Sequence, residues 1–304
     1  MKTGIKRIGT LLLAVVLMVL ALPPIAISAA YAFSGGSGTV ANPYLVSTPE
    51  DVLNIKNAAG SVFRQTCDIS MAGKTVAPIN QFSGVYDGGG YTLSDVTINH
   101  TYYRVGLIST NTGTIQNLHL ENAKISGSIA NNSLFCGGIV GYNTGTIIGC
   151  SVSGSVTGKA STQGYENYVG GLTGLNLGTV EDCRNFASVT ADAGNPLDVY
   201  AGGIVGNNNK TVKNCLNEGA IRAVNGMNAL AAGIAAINFG TITGVKNTAE
   251  IYANSNRIRD GYYSDAYAGG AAGYNKGMVS YAENSGSIRA ESSADNAEAG
   301  GITA

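Results

Sequence analysis

Across 304 residues the chain carries 43 Gly, 5 Cys, 2 His and no Trp, with 44% hydrophobic and only 12% charged residues. It is too apolar and too weakly charged for a disordered chain, and its glycines lack the three-residue period of collagen. With 18 basic and 19 acidic residues the net charge is −1, which lacks the basic surplus of a nucleic-acid binder, and two histidines exclude a histidine-rich metal site.

At the N-terminus, Lys2, Lys6 and Arg7 precede an unbroken apolar run over 11–22, and Ala30-Tyr31-Ala32 offers a small-x-small pattern. Residues 1–32 therefore read as a secretory signal peptide cleaved after Ala32. The apolar run is shorter than the ~20 residues of a spanning helix, and an uncleaved anchor is the other reading. Removal of the leader leaves 15 basic and 19 acidic residues, a net charge of −4. The mature chain is expected outside the cytoplasm, secreted or on the cell surface. Neither a membrane span nor a nucleic-acid partner is expected for it.

Residues 33–100 read as an N-terminal cap and first coils. Thr48-Pro49-Glu50-Asp51 is a helix start, with Thr as N-cap, Pro at the first helical position and acids in the first turn. Val52, Leu53 and Ile55 then give a short amphipathic helix to about residue 58. A helix here would cover strand edges that otherwise invite aggregation. Segments 63–69, 75–79 and 91–98 read as strands, and Asp87-Gly88-Gly89-Gly90 as a tight turn.

Residues 101–304 are a repeat, marked by Gly-apolar-x-Gly units such as Gly138-Ile-Val-Gly141, Gly171-Leu-Thr-Gly174 and Gly203-Ile-Val-Gly206. Looser copies begin at Gly106, Gly233, Gly270 and Gly301, so successive first glycines are 32, 33, 32, 30, 37 and 31 residues apart. Five residues after each first Gly stands an asparagine: Asn111, Asn143, Asn176, Asn208, Asn238 and Asn275. Nine after it stand Ile115, Ile147, Val180, Val212, Ile242 and Val279. Twelve after it stand Leu118, Cys150, Cys183, Cys215, Val245 and Ala282. Eighteen after it, from the second copy on, stand Val156, Val189, Ile221, Ile251 and Ile288.

Each unit reads as three short strands with one apolar face, separated by Gly and Asn turns. One unit cannot bury that face alone, and stacking successive units can. Right-handed crossovers between parallel strands are strongly favoured. The expected fold is all-β, a right-handed parallel β-helix with one coil per repeat. In it the Ile and Val columns are core ladders, and the Asn column is a turn ladder whose amides bond the next coil. The cysteine column shares its offset with Leu118, Val245 and Ala282, which favours packing as small hydrophobes over metal or redox chemistry. Cys67 and Cys136 fall outside that column. The sequence stops inside the opening of another unit at Gly301-Ile-Thr-Ala304, which reads as truncation within a repeat, and wall attachment would lie further on.

The unit Gly137-Gly-Ile-Val-Gly-Tyr-Asn-Thr-Gly-Thr-Ile147 resembles the GLUG motif repeat of bacterial surface proteins. Gly38-Thr-Val-Ala-Asn-Pro-Tyr-Leu-Val-Ser-Thr-Pro-Glu-Asp51 and Phe82-Ser-Gly-Val-Tyr-Asp-Gly-Gly-Gly-Tyr-Thr-Leu93 resemble the segments that precede such repeats. The resemblance implies a secreted or wall-attached adhesin-like protein. Similar repeats occur in some immunoglobulin A-cleaving metallopeptidases, whose His-Glu-x-x-His zinc motif has no match here.

No catalytic, cofactor or metal residues are assigned. The acid pair Glu181-Asp182 has Ile148-Gly149 and Lys213-Asn214 at the same offset in neighbouring repeats, so no acidic column forms. His100 and His119 read as surface residues. The candidate ligand surface is a set of loops before the Gly-Gly starts, carrying Tyr165, Tyr168, Tyr200, Arg257, Arg259, Tyr262, Tyr263 and Tyr267. Insertions in repeat proteins map to loops that often bind, and Tyr with Arg is a common recognition mix. The competing reading has these tyrosines shielding the core. Arg222, Tyr252 and Arg289 share one exposed offset, where cation–π contacts would stabilise the stack. The expected function is a non-catalytic binding scaffold for a host or environmental glycan or protein. A polysaccharide-processing enzyme and a non-catalytic arm of a larger surface peptidase are the alternatives.

Overall fold

The computed structural model describes residues 33–161, 165–193, 198–256, 264–293 and 296–304. The expected leader, 1–32, lies outside the described residues.

The helix forms where the sequence places it. Helix α1 spans Pro49–Asn54 and runs into a 3-10 turn, Ile55–Asn57. Thr48 Oγ1 accepts the Asp51 N–H at 3.1 Å, and Asp51 Oδ2 accepts the Thr48 N–H at 3.0 Å, a reciprocal capping box. Asp51 is only 2% exposed and also accepts from the Ser34 and Ser47 amides and the Ser34 hydroxyl. Burial alone would raise this carboxyl. Its hydrogen bonds outweigh burial and hold it below the ordinary value. Val52 and Ile55 line one small internal void together with Ile79, Phe82, Leu93, Ile115 and Leu118, so α1 closes the apolar end of the first coils.

Segments 63–69 and 91–98, read as single strands, are each broken in two, into Val62–Gln65 and Ile69–Ser70 and into Thr92–Ser94 and Thr97–His100. The segment between them begins later than the sequence suggests. Residues 75–78 are not strand, and pairing starts at Ile79–Phe82. Pro78 has no N–H to give to a ladder, whereas Ile79 donates to the Leu107 carbonyl at 2.9 Å. The turn at Asp87 forms as expected, with Asp87 Oδ1 accepting the Gly89 N–H at 3.0 Å.

From there each repeat makes one coil. In the second copy the strands are Leu134–Gly137, Val140–Asn143, Thr146–Ile148 and Ser151–Ala160. Equivalent strands of neighbouring coils pair in parallel, giving one broad sheet of 20 strands and two sheets of seven. The seven-stranded sheet that contains Val140–Asn143 is called here the asparagine sheet, and the one that contains Leu134–Gly137 the tyrosine sheet. Over the described residues the protein is a nearly all-β parallel solenoid with one short α-helix. The apolar columns pair in the expected register: Ile115, Ile147, Val180, Val212, Ile242 and Val279 in one, Val156, Val189, Ile221, Ile251 and Ile288 in another.

The asparagine column is a buried amide ladder. Each Nδ2 donates to the Oδ1 of the next coil, from Asn111 through Asn143, Asn176, Asn208 and Asn238 to Asn275, at 2.7–2.9 Å. The same amides also bond turn carbonyls two residues on, as Asn143 does with Gly145 at 3.2 Å. A second ladder links Asn185, Asn217, Asn247 and Asn284 at 2.7–2.8 Å. It occupies the offset that Leu120 and Val152 hold in the earlier copies. Where Val152 stands the strand runs on, Ser151–Ala160. Where Asn185 stands it breaks into Arg184–Asn185 and Ser188–Ala193, because the amide folds onto the Ala187 N–H and carbonyl.

Cys150, Cys183 and Cys215 are free and buried in the core column. Burial pushes the Cys150 and Cys215 thiols up, away from the thiolate a reactive cysteine needs. Cys136 packs inward from the tyrosine sheet in register with Val105, Val169 and Ala201, and burial pushes its thiol up to about 12. Arg222 and Arg289 flank the Tyr252 ring at 4.9 and 5.7 Å, the stack expected from their shared offset.

Candidate functional site

The segments before the Gly-Gly starts are strands as well as loops, which corrects the loop reading of Tyr168, Tyr200 and Tyr267. They lie on Glu166–Gly170, Asp198–Gly202 and Ala266–Gly269 of the tyrosine sheet. Alternation explains it: Asn167 and Val169 face inward and Tyr168 outward. The outward column runs Arg104, Phe135, Tyr168, Tyr200, Leu230, Tyr267 and Glu298, one residue per coil.

That outer face is covered. The asparagine sheet follows directly in the chain, and its own outward column faces it: Gln81, Thr110, Tyr142, Leu175, Asn207, Ile237 and Tyr274. The two outer faces meet in a corner. The second glycine of the repeat unit makes this approach feasible. A Cβ on Gly174 would sit 2.5 Å from the Cys136 nitrogen, and one on Gly206 would sit 2.9 Å from the Val169 nitrogen. Tyr168 and Tyr200 are accordingly only 6% and 7% exposed. Their rings stack at 4.7 Å, and Phe135 stacks on Tyr168 at 5.5 Å. These tyrosines form a second hydrophobic cluster with Leu230, Ala236 and Ile237, on the outside of the coil.

The phenols end at a line of acids. Tyr200 Oη donates to Asp198 at 3.1 Å, and Tyr267 Oη to Asp265 at 3.3 Å. Burial, then the nearby carboxylates Asp198 and Glu166, raises the Tyr200 phenol well above its ordinary value, and Tyr168 shifts the same way. Burial also raises Asp198, against its bonds from Tyr200 and Asn228. Tyr165 stands apart at 37% exposed. Arg257, Arg259, Tyr262 and Tyr263 lie outside the described residues.

The corner is open at its N-terminal end. The asparagine sheet begins with Ile79–Phe82, one coil before the tyrosine sheet begins with Arg104–Val105. Gln81 therefore has no tyrosine-sheet strand opposite it, and a cavity of about 580 Å³ remains. Its lining is Asn80, Gln81, Ser109 and Thr110 on one side and His100, Tyr102, Tyr103 and Arg104 on the other. Arg104 Nη1 donates to Thr110 Oγ1 at 3.0 Å. The guanidinium lies 4.0 Å from the Tyr142 ring centroid and 4.9 Å from that of Tyr103, which fixes it in place. Arg104 Nε and His100 Nδ1 are buried without a hydrogen-bond partner. His100, read from the sequence as a surface residue, is partly buried and lines this open cavity. His119 is half-buried, its Nδ1 2.8 Å from the Ser151 hydroxyl.

Sequence reasoning missed this site, although a signal was present. All later copies have two small residues at the start of the unit, as in Gly137-Gly138, but the first has Val105-Gly106. Counting back from the first Gly would put Tyr103 in the ladder. The structure instead pairs Phe135 with Arg104 and Cys136 with Val105, a shift of one residue. That shift carries Arg104 into the aromatic column and leaves Tyr102 and Tyr103 beside it.

The fold is shared with known proteins. A crystal structure described as a putative immunoglobulin A1 protease from Bacteroides ovatus superposes with a TM-score of 0.62 at 18% identity, over 90% of this chain and 87% of that one. The likeness shows the fold alone. In sequence, the chain is 42% identical over 84 residues to Halomucin of Haloquadratum walsbyi, covering 27% of this chain and 1% of that protein. It is 32% identical over 136 residues to the "Putative Gly-rich membrane protein" of Evansella cellulosilytica, covering 40% of this chain and 15% of that protein. The chain thus spans a small part of both relatives. No family model matches it. Among the described residues no helix is long and apolar enough to cross a membrane, and no group of three or more His, Cys, Asp or Glu is placed to hold a metal ion.

Proposed function

We propose that the chain is a secreted or cell-surface β-solenoid of the GLUG-repeat type, an adhesin-like binding module without catalysis in residues 33–304. The observation that carries this reading is the open end of the corner. There a rigid stack of coils holds an arginine, a histidine and two tyrosines around one cavity. His100 and Arg104 lie at the ends of two strands and Tyr102 and Tyr103 on the short bend between them, so paired backbone anchors both sides of the group. The partner is a glycan or protein outside the cell.

Fractionation of the native organism tests the location. The expected result is recovery from medium or cell surface with Phe33 as the N-terminus, and an intact leader on cytoplasmic protein overturns it. Incubation with a panel of polysaccharides tests the lack of catalysis, since released product would replace this reading with polysaccharide processing. A second reading, a non-catalytic arm of a larger surface peptidase, draws on the fold shared with the chain described as a protease. Peptide mapping of the native polypeptide decides it by finding or missing a peptidase domain in the same chain.

A further inference from the structure

We propose that the open end of the corner binds the carboxylate of an acidic sugar. This deepens the reading of the chain as a binding module and rests on it.

The cavity is built for one negative charge on a polar, ring-shaped ligand. Among the described residues its lining holds one guanidinium, one imidazole, two phenols, two carboxamides and two hydroxyls, and no carboxylate. Among the described residues no acid forms an ion pair with Arg104. This contrasts with the closed part of the corner, where the phenols meet Asp198 and Asp265. A guanidinium presents a planar fork that matches a carboxylate. Here the fork is held in advance by Thr110 and by the Tyr103 and Tyr142 rings. Little side-chain entropy is then lost on binding.

Two buried polar atoms without partners, Arg104 Nε and His100 Nδ1, belong to residues of this lining. Groups of that kind are rare in folded proteins and ask for a partner. The amides of Asn80 and Gln81 and the Ser109 hydroxyl can serve sugar hydroxyls, as donors and acceptors alike. Tyr102 is 42% exposed and packs against Tyr103 with ring centroids 4.4 Å apart, so it offers an aromatic face at the rim. Such a face suits the C–H side of a pyranose. The volume, about 580 Å³, fits a ligand of one or two sugar rings.

The test is calorimetric titration of the full chain with three probes: trigalacturonate, its fully methyl-esterified form, and sialyllactose. Binding of trigalacturonate or sialyllactose is expected, and which of the two binds identifies the acid as a uronic or a sialic type. The ester is expected to bind at least tenfold more weakly than the free acid. Arg104→Gln should weaken acid binding about tenfold or more, the scale of a lost charged hydrogen bond. Tyr102→Ala, at an exposed ring, should weaken it severalfold with an unchanged melting temperature. This keeps the test decisive if Arg104→Gln fails to fold.

Equal binding of acid and ester, acid binding that neither variant changes, or no binding of either acid overturns the proposal. Capture of neutral glycans or of proteins by the same chain would overturn the carboxylate assignment and leave the binding-module reading standing. Intracellular location or polysaccharide turnover would remove that reading whatever the cavity binds.

Discussion

The corner between the tyrosine and asparagine sheets exists in two states within one molecule. From Phe135 to Tyr267 both sheets are present, and the outward aromatics are covered and stacked. Around Arg104 the tyrosine sheet has only just begun, and similar aromatics line open space. Tyr200 and Tyr102 are chemically identical, yet one is 7% exposed and the other 42%. A tyrosine of this solenoid is therefore buried or exposed according to whether it lies in the paired column of the tyrosine sheet, as Tyr200 does, or ahead of its first strand, as Tyr102 does. The side chain alone does not decide.

The sharpest way to break this comparison is to truncate both rings. Tyr200→Ala should cost about 3 kcal/mol, near the value for removing a buried aromatic, because it empties a slot between Tyr168 and Leu230. Tyr102→Ala should stay within about 0.5 kcal/mol of the parent, as exposed substitutions do. Urea unfolding of the two variants checks this, and similar losses would mean that the open end is packed in solution.

The inner face should respond more evenly, because the amide ladder runs through both stretches. Asn208 donates to Asn238 and accepts from Asn176, with all three fully buried. Asn208→Ala takes one partner from the Asn176 amide and one from the Asn238 carbonyl, both buried, and removes the turn bond of Asn208 itself. The expected loss is about 2 kcal/mol, and Asn143→Ala, nearer the open end, should match it by the same unfolding assay. A much smaller loss at Asn143 would show that the first coils are loosely stacked.

Much of this was legible in the sequence, and the reason is periodicity. A parallel stack puts each offset in a vertical column, so Ile115 and Ile147, or Asn111 and Asn143, announce their contact by spacing alone. The helix start at Thr48 was equally readable, because capping is a local matter between Thr48 and Asp51. The corner was not, because it needs the angle between two sheets, which no column encodes. Tyr168 could be placed in a file with Tyr200, but not in one cluster with Ile237 of the facing sheet. The second asparagine ladder was missed because its offset starts apolar, at Leu120 and Val152. The cavity was missed because it arises where the repeat is broken, at the single glycine of Val105-Gly106.

Protonation offers a third way to sharpen the contrast, since carboxylates meet the phenols in the closed part of the corner and, among the described residues, none lines the open end. Burial lifts the Asp198 carboxyl above its ordinary 3.8. A carboxyl raised on folding binds its proton more tightly in the native state. It therefore favours folding at low pH and loses that contribution as pH rises through the folded value. At neutral pH the charged, half-buried group is a net cost. Asp198→Asn removes the charge and keeps one accepting oxygen, for Tyr200, while giving up the 3.2 Å bond from the Asn228 N–H. Relief of the buried charge should outweigh that bond and raise the melting temperature at pH 7. The gain should shrink as pH falls toward 3.8. Melting curves across that range check the sign, and a loss of stability at pH 7 would show that the charge is held favourably.

The smallest effect belongs to a position where the sequence departs from its own column. Eleven residues after each first Gly the backbone turns left-handed, with φ near +50° to +63° at Asn117, Gly149, Asp182, Asn214, Gly244 and Tyr281. Asn, Asp and Gly tolerate that conformation, and a bulky residue does not. Tyr281 adopts it at φ 50° while its side chain is 87% exposed, so packing returns little for the strain. Tyr281→Asn should stabilise the chain by about 0.5–1 kcal/mol, part of the ~1–2 kcal/mol that a left-handed residue costs. Differential scanning calorimetry of the variant reads this as a small rise in melting temperature. An unchanged or lower value would mean that the Tyr281 ring makes contacts in solution that the isolated chain lacks, and that the last coil is covered.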